Sequence, residues 1–196
     1  MKQEIEMEFK NLLTQEEFNR LKHFFFIRDD QFVYQENHYF DTPEFSLKGQ
    51  GAALRIRVKN DTYTLTLKQT IEQGLLETHE ALTKEKAQSI LNNPAMMEGE
   101  MKSLLKDMGI AAEQLQHFGT LATHRAQVPY EGGMLVLDHS CYLQTEDYEL
   151  EFEVNDWEQG KNSFEKLLAS FRIPYRPSTN KIKRLYAKKY GVEDQS

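Results

Sequence analysis

Glu4-Ile5-Glu6-Met7-Glu8-Phe9-Lys10 alternates without a break: Ile5, Met7 and Phe9 fall on one face of a β-strand, and Glu4, Glu6, Glu8 and Lys10 on the other. Three glutamates at i, i+2 and i+4 project from one side about 7 Å apart. For a single strand, a charged face turned to solvent is the ordinary outcome. The pattern recurs, however, and it recurs sorted by sign. Arg55, Arg57 and Lys59 share one face of a second strand, and Glu149, Glu151 and Glu153 alternate with Leu150, Phe152 and Val154 in a third. Lys68 points away from Leu65 and Leu67, and Arg125 shares a face with Thr123 and Gln127. Like charges in line repel, and solubility is better served by mixed signs. Faces sorted in this way imply a partner for each sign.

Beyond this first strand, Thr14-Gln15-Glu16-Glu17 predicts a capping box opening an amphipathic helix over 14–27, with Phe18, Leu21, Phe24 and Phe25 as its apolar stripe. Strands are expected over 31–40, 53–59 and 62–69, the last two joined by a hairpin at Asn60-Asp61, and again over 75–82. Residues 46–51, with two glycines, read as a loop. Helices come next over 83–91 and 100–108, parted by Asn92-Asn93-Pro94. Strands return over 118–129, 134–140 and 148–154, the first pair joined through Glu131-Gly132-Gly133, and helices close the chain over 161–171 and 180–190. About eight strands in hairpin order with inserted helices make an α+β fold on an antiparallel sheet, and that many strands can curl and close. If the charged faces point inward, the barrel encloses a polar tunnel. The apolar faces then point outward, for the helices over 14–27, 161–171 and 180–190 to cover. Charges held away from bulk water need partners. Clustered bases would take a polyanion, and clustered carboxylates a divalent cation such as Mg²⁺.

Bulk properties bound the function. At 196 residues one domain over 1–196 with one sizeable core is expected. A net charge of −7 argues against a general nucleic-acid binder. The lone Cys141 leaves no internal disulfide or Cys-rich zinc site, reads as inert and fits a reducing compartment. The charged start MKQEIEMEFK does not resemble a signal peptide, and no apolar run approaches a membrane span. A soluble cytoplasmic protein, monomer or homodimer, without membrane partners is the simplest reading.

The pattern Glu-x-Glu-x-Lys at Glu6, Glu8 and Lys10 resembles the signature of the CYTH superfamily, the triphosphate tunnel metalloenzymes. This group includes class IV adenylate cyclases, thiamine triphosphatases and inorganic triphosphatases. Alone the pattern is weak; the order of the later motifs along the chain makes it specific. Tyr39-Phe40-Asp41, Leu54-Arg55-Ile56-Arg57 and Leu67-Lys68 come first, then Glu80, Arg125, Asp138, Glu149 with Glu151, and Lys181. The resemblance spans roughly 4–190. It implies a closed eight-stranded antiparallel β-barrel, a triphosphate tunnel with helices packed outside. It implies that Lys10, Arg55, Arg57, Lys68, Arg125 and Lys181 contact phosphate oxygens, through the Arg donor fork and the mobile Lys charge. Glu6, Glu8, Glu149 and Glu151 would hold Mg²⁺ or Mn²⁺, with Asp138 and Glu80 assisting, and Glu6, Glu8 and Lys10 carry the catalytic assignment. Glu153 and Glu4 are in phase but rank lower. The chain departs from many relatives in having Thr78-His79, not a basic residue, just before Glu80.

Three functions fit. A triphosphatase would use the bases to hold the phosphates and metal to activate water for in-line attack on the terminal phosphorus of an inorganic, thiamine or nucleoside triphosphate. A cyclase would hold ATP in the same clamp and direct the ribose hydroxyl at the α-phosphorus. A sensor would bind the polyanion without turnover. Hydrolysis needs the fewest parts, and pure anion binding does not need four carboxylates.

Overall fold

The structure is a computed structural model that describes residues 1–72 and 74–191. Eight antiparallel strands alternate with helices: β1 (Lys2–Leu13), α1 (Gln15–Phe24), β2 (Val33–Asp41), α2 (Ser46–Gly49), β3 (Ala52–Lys59), β4 (Thr62–Ile71), β5 (Gly74–Leu82), α3 (Lys84–Asn92), α4 (Gly99–Asp107), β6 (Gln116–Tyr130), β7 (Gly133–Tyr142), β8 (Thr145–Val154), α5 (Trp157–Ser170) and α6 (Lys181–Tyr190). The strands close into a barrel in the order β1-β5-β4-β3-β2-β6-β7-β8. Among the described residues no helix is long and apolar enough to cross a membrane.

Tight turns set the registers. Asn60 and Asp61 both adopt positive φ (48° and 56°) between the paired Lys59 and Thr62, the two-residue hairpin expected from that dipeptide. Glu131-Gly132 does the same between β6 and β7 (40° and 81°). Leu143-Gln144 makes a third such turn between β7 and β8 (45° and 59°), with residue types that give no turn signal. β7 and β8 therefore run on to Tyr142 and from Thr145, past the expected ends at 140 and 148.

The chain parts into two compact units, one of Met1–Ile5 with Gln35–Thr120, the other of Glu6–Tyr34 with the residues from Leu121 on. Each has its own apolar cluster, not one shared core. In the first, Leu54, Ile56, Leu65 and Leu67 of β3 and β4 pack with Ala87 and Ile90 of α3 and Met101 and Leu105 of α4. In the second, Leu135, Leu137, Leu150 and Phe152 of β7 and β8 pack with Phe18 and Leu21 of α1 and Phe164, Leu167 and Leu168 of α5. The alternation of β-strand side chains explains the division: apolar residues occupy only the face each unit turns to its helices. At Gly160 of α5 a Cβ would sit 2.7 Å from Val154, so glycine is what lets α5 lie this close to β8.

The expected capping box forms: Glu17 N–H donates to Thr14 Oγ1 (3.2 Å), and Thr14 N–H to the Glu17 carboxylate (2.8 Å). α1 stops at Phe24, which is 58% exposed and outside the stripe that buries Phe18 and Leu21. The helix α2 replaces the loop expected over 46–51. Asp41 explains it, accepting from the N–H groups of Thr42, Leu47 and Lys48 (2.8, 2.9 and 3.1 Å) and so capping the short helix.

Candidate functional site

The register of the second unit puts Arg125, Asp138, Glu149, Glu151 and Lys10 on one face. Arg125 pairs with Asp138, Asp138 with Glu149, and Lys10 with Glu151 across adjacent strands. Glu6 and Glu8 share that face, four and two residues before Lys10. It is the face opposite to Leu137, Leu150 and Phe152. Arg125 grips Asp138 with two bonds, Nε to Oδ1 (2.8 Å) and Nη2 to Oδ2 (2.6 Å), and reaches Glu151 Oε2 at 2.6 Å. Lys10 Nζ lies 2.7 Å from Glu8 Oε1.

The chain returns to this face from its far end. Lys181, the first residue of α6, places its Nζ 2.8 Å from Asp138 Oδ2 and 2.5 Å from Glu151 Oε1, and also pairs with Glu149. Arg184, one turn later, bonds Asp147 (3.0 Å), Glu149 (3.0 Å), Ser178 Oγ (2.6 Å) and the Thr179 carbonyl (2.5 Å). The 180–190 helix buries Leu185, as an apolar-face helix should, but it also turns charge inward. Its first turn carries Lys and Arg side chains that the acidic strand attracts.

Burial raises the stakes of these pairs. Asp138, Glu149 and Glu151 are 0, 1 and 3% exposed. Burial alone would push carboxyls up, and at Glu149 it is the largest single influence; Lys181, Arg184 and Lys10 together overcome it and hold that carboxyl below its ordinary value. Arg125 and Lys181 do the same for Asp138, and with Lys10 they hold Glu151 well below the carboxylate range. The cations shift reciprocally. Burial works against charge on Lys10 and Lys181, but Glu8 and Glu151 raise the first, and Asp138, Glu149 and Glu151 raise the second well above the lysine range. All these groups are ionised at neutral pH.

One oxygen from each of Asp138, Glu149 and Glu151 lies within 4.8 Å of the others. An all-oxygen, anionic set of this kind suits a hard divalent cation such as Mg²⁺ or Mn²⁺. In this structure the Lys181 ammonium sits among the three, so a dication there would take over the partners of a monocation.

The first unit carries the other predicted bases. Arg55, Arg57 and Lys68 share a face with Asn37, Tyr39, Thr66, Glu77 and His79 through the β2–β3–β4–β5 registers. Arg57 Nε donates to Asn37 Oδ1 (3.0 Å), and Lys68 pairs with Glu77. His79 contacts Thr66 Oγ1 (2.9 Å), Glu77 Oε2 (3.2 Å) and Glu4 Oε1 (3.3 Å). Glu80 is the predicted ligand that is not brought together with these groups. Three residues after Glu77, it falls on the opposite face of β5, paired with the buried Leu65. The acidic side chain that β5 presents beside Lys68 is Glu77.

Glu77, Asn37, Asp147 and Ser178 carry no mark in the sequence, and Arg184 stands out only as a member of a basic run, Lys181-Ile182-Lys183-Arg184. For Glu77 the register supplies what the residue types do not: counting back from the paired Ile71 and Gly74 sets it opposite Lys68.

A family model described as "CYTH domain" matches residues 4–186. A Bacillus subtilis (strain 168) protein described as "Putative triphosphatase YjbK" is 49% identical over 189 residues, 96% of this chain and 98% of that one. A Bacillus halodurans crystal structure described as "a putative adenylate cyclase" superposes with a TM-score of 0.91 at 45% identity, covering 95% of this chain and all of that one. A Hippeastrum structure, described as "Putative adenylyl cyclase HpAC1" with "a dominant triphophatase activity", gives 0.78 at 25% identity over 95% of this chain and 96% of that one. Charged faces, closed strand order and matched sequence agree, and the chain belongs to the CYTH domain family.

Proposed function

We propose that this chain is a divalent-cation-dependent triphosphatase that hydrolyses the terminal phosphoanhydride of an organic or inorganic triphosphate inside the charged barrel. The observation that carries the reading is the buried trio Asp138, Glu149 and Glu151, interlocked with Arg125 and Lys181. The descriptions of the Bacillus subtilis and Hippeastrum relatives support the same reaction class.

Mg²⁺ or Mn²⁺, when bound, would supply positive charge to the phosphate oxygens; Asp138, Glu149 and Glu151 would hold it, with Glu6 and Glu8 on the same face. Arg125 offers a planar donor fork to phosphoryl oxygens, and Lys10 and Lys181 offer point charges. Lys181 exchanges its carboxylate partners for phosphate, which keeps the buried charges balanced. Arg55, Arg57 and Lys68 are the further phosphate ligands in this reading. Fixing the phosphates in line and spreading the developing charge accounts for most of the catalysis such a transfer needs. A carboxylate of the same face accepts the proton of the attacking water.

Cyclisation is the second reading, favoured by the description of the Bacillus halodurans structure. Incubation with inorganic triphosphate, thiamine triphosphate and ATP, each with Mg²⁺, Mn²⁺ or chelator, separates the two. Orthophosphate as the product, lost with chelator and in Glu151→Gln, is expected; cyclic AMP with pyrophosphate would replace hydrolysis by cyclisation. Metal-dependent binding without product would leave a sensor.

A further inference from the structure

The face of β6, β7 and β8 turned away from the acidic trio is apolar over Ala126, Leu135, Leu137, Leu150 and Phe152. Toward the Leu143-Gln144 turn it changes character: the same outward positions become His139 and Cys141 on β7 and Glu146 on β8. Neither the triphosphatase chemistry nor the packing of α1 and α5 uses these three. Their ligating atoms converge within 4.8 Å of one another. His139 Nε2 is the pivot, 3.6 Å from Cys141 Sγ and 2.8 Å from Glu146 Oε2.

Those spacings fit coordination. In a tetrahedral zinc site with ordinary Zn–S and Zn–N bonds, sulfur and nitrogen lie about 3.5 Å apart, as Cys141 and His139 already do. The nitrogen–oxygen pair would open by roughly half an ångström from its hydrogen-bonded distance to reach the same geometry. The imidazole is also held in place. Tyr148 stacks on it face to face (centroids 4.6 Å apart, 8° between planes), and His124 of β6 lies alongside (6.0 Å, 25°). Cys141 and His139 are half-buried while Glu146 is 55% exposed, so the cluster opens to solvent on one side.

We propose that His139, Cys141 and Glu146 form a second metal site, on the outer wall of β7 and β8, for a borderline-soft divalent cation of the Zn²⁺ class, its fourth position open to water. A mixed nitrogen, sulfur and oxygen set selects this class over Mg²⁺. It is therefore distinct in metal preference from the all-oxygen trio on the opposite face.

The single cysteine makes the test specific. Co²⁺ added to the full chain in excess Mg²⁺ should give a thiolate-to-cobalt charge-transfer band in the near ultraviolet, because only Cys141 can supply it. One equivalent of Zn²⁺ should displace it. Cys141→Ser should abolish the band, and His139→Ala and Glu146→Gln should each weaken Co²⁺ binding at least tenfold. Cys141→Ser should leave Mg²⁺-dependent phosphate release unchanged, so that failure of this site and failure of the triphosphatase reading are told apart. Glu146→Gln, on the exposed rim, keeps the test valid if His139→Ala does not fold. Absence of the band, or a band of undiminished affinity in both His139→Ala and Glu146→Gln, would overturn the proposal.

Discussion

The two units carry charge in different proportions. On β3, β4 and β5, Arg55, Arg57 and Lys68 outnumber Glu77, and two of these strands supply the bases. On β1, β6, β7 and β8 the carboxylates Asp138, Asp147, Glu149 and Glu151 are engaged by Arg125, Lys181 and Arg184, and the interlocked charges lie deep within the protein. A face with surplus cations is complete when an anion arrives. A buried network whose carboxylates are already engaged would give a dication room once one of their cations, here Lys181, lets go. In the proposed reading the first serves binding and the second metal and chemistry.

That contrast predicts the order of mutational effects. Glu151→Gln should lower kcat by about 10³-fold or more with saturating metal, because it removes charge at the reacting end. Arg57→Ala should cost about 10- to 100-fold, chiefly in KM. Equal losses through KM in both variants would erase the distinction. Glu77→Gln and Glu80→Gln sharpen it: only the first should change phosphate release, since Glu80 lies on the face shared with Leu65.

Stability should divide likewise. Glu149→Ala strands Lys181 and Arg184 in a buried setting and should cost about 3–5 kcal/mol, read from chemical unfolding. Acid tests the same network. Asp138, Glu149 and Glu151 have folded-state pKa values below their unfolded ones. Their stabilisation is complete above the ordinary carboxylate range, roughly pH 4, and is lost as pH falls through the depressed folded values. Tm should therefore stay level down to about pH 5 and drop steeply below about pH 4, less steeply in Glu151→Gln. The smallest effect is expected in a turn that carries none of these charged groups. Gln144→Gly relieves a positive-φ residue in the β7–β8 turn (59°) and should stabilise by about 0.5–1 kcal/mol.

How far the fold and the site could be read from the sequence depends on which interactions are local. β1 and the second half of β8 are legible because strict alternation puts their charges on one face, and Glu6, Glu8, Lys10, Glu149 and Glu151 do share it. Glu80, a ligand by resemblance, lies on the other face of β5 from Lys68 and Glu77, because a three-residue offset reverses the face of a strand. Ser178 and Arg184 were hidden because they reach Glu149 only when the chain returns over about thirty residues. The separate clusters beneath α3–α4 and α1–α5 could not be read from length, which sets how much apolar surface is buried but not on how many faces.

The most direct test of the central claim is product-resolved turnover of inorganic triphosphate by wild type and Glu151→Gln, with Mg²⁺ or Mn²⁺ and with chelator. Orthophosphate release by wild type alone, abolished by chelator, is the predicted result. Release that persists in Glu151→Gln or in chelator, or no turnover of inorganic triphosphate, thiamine triphosphate or ATP, would contradict it.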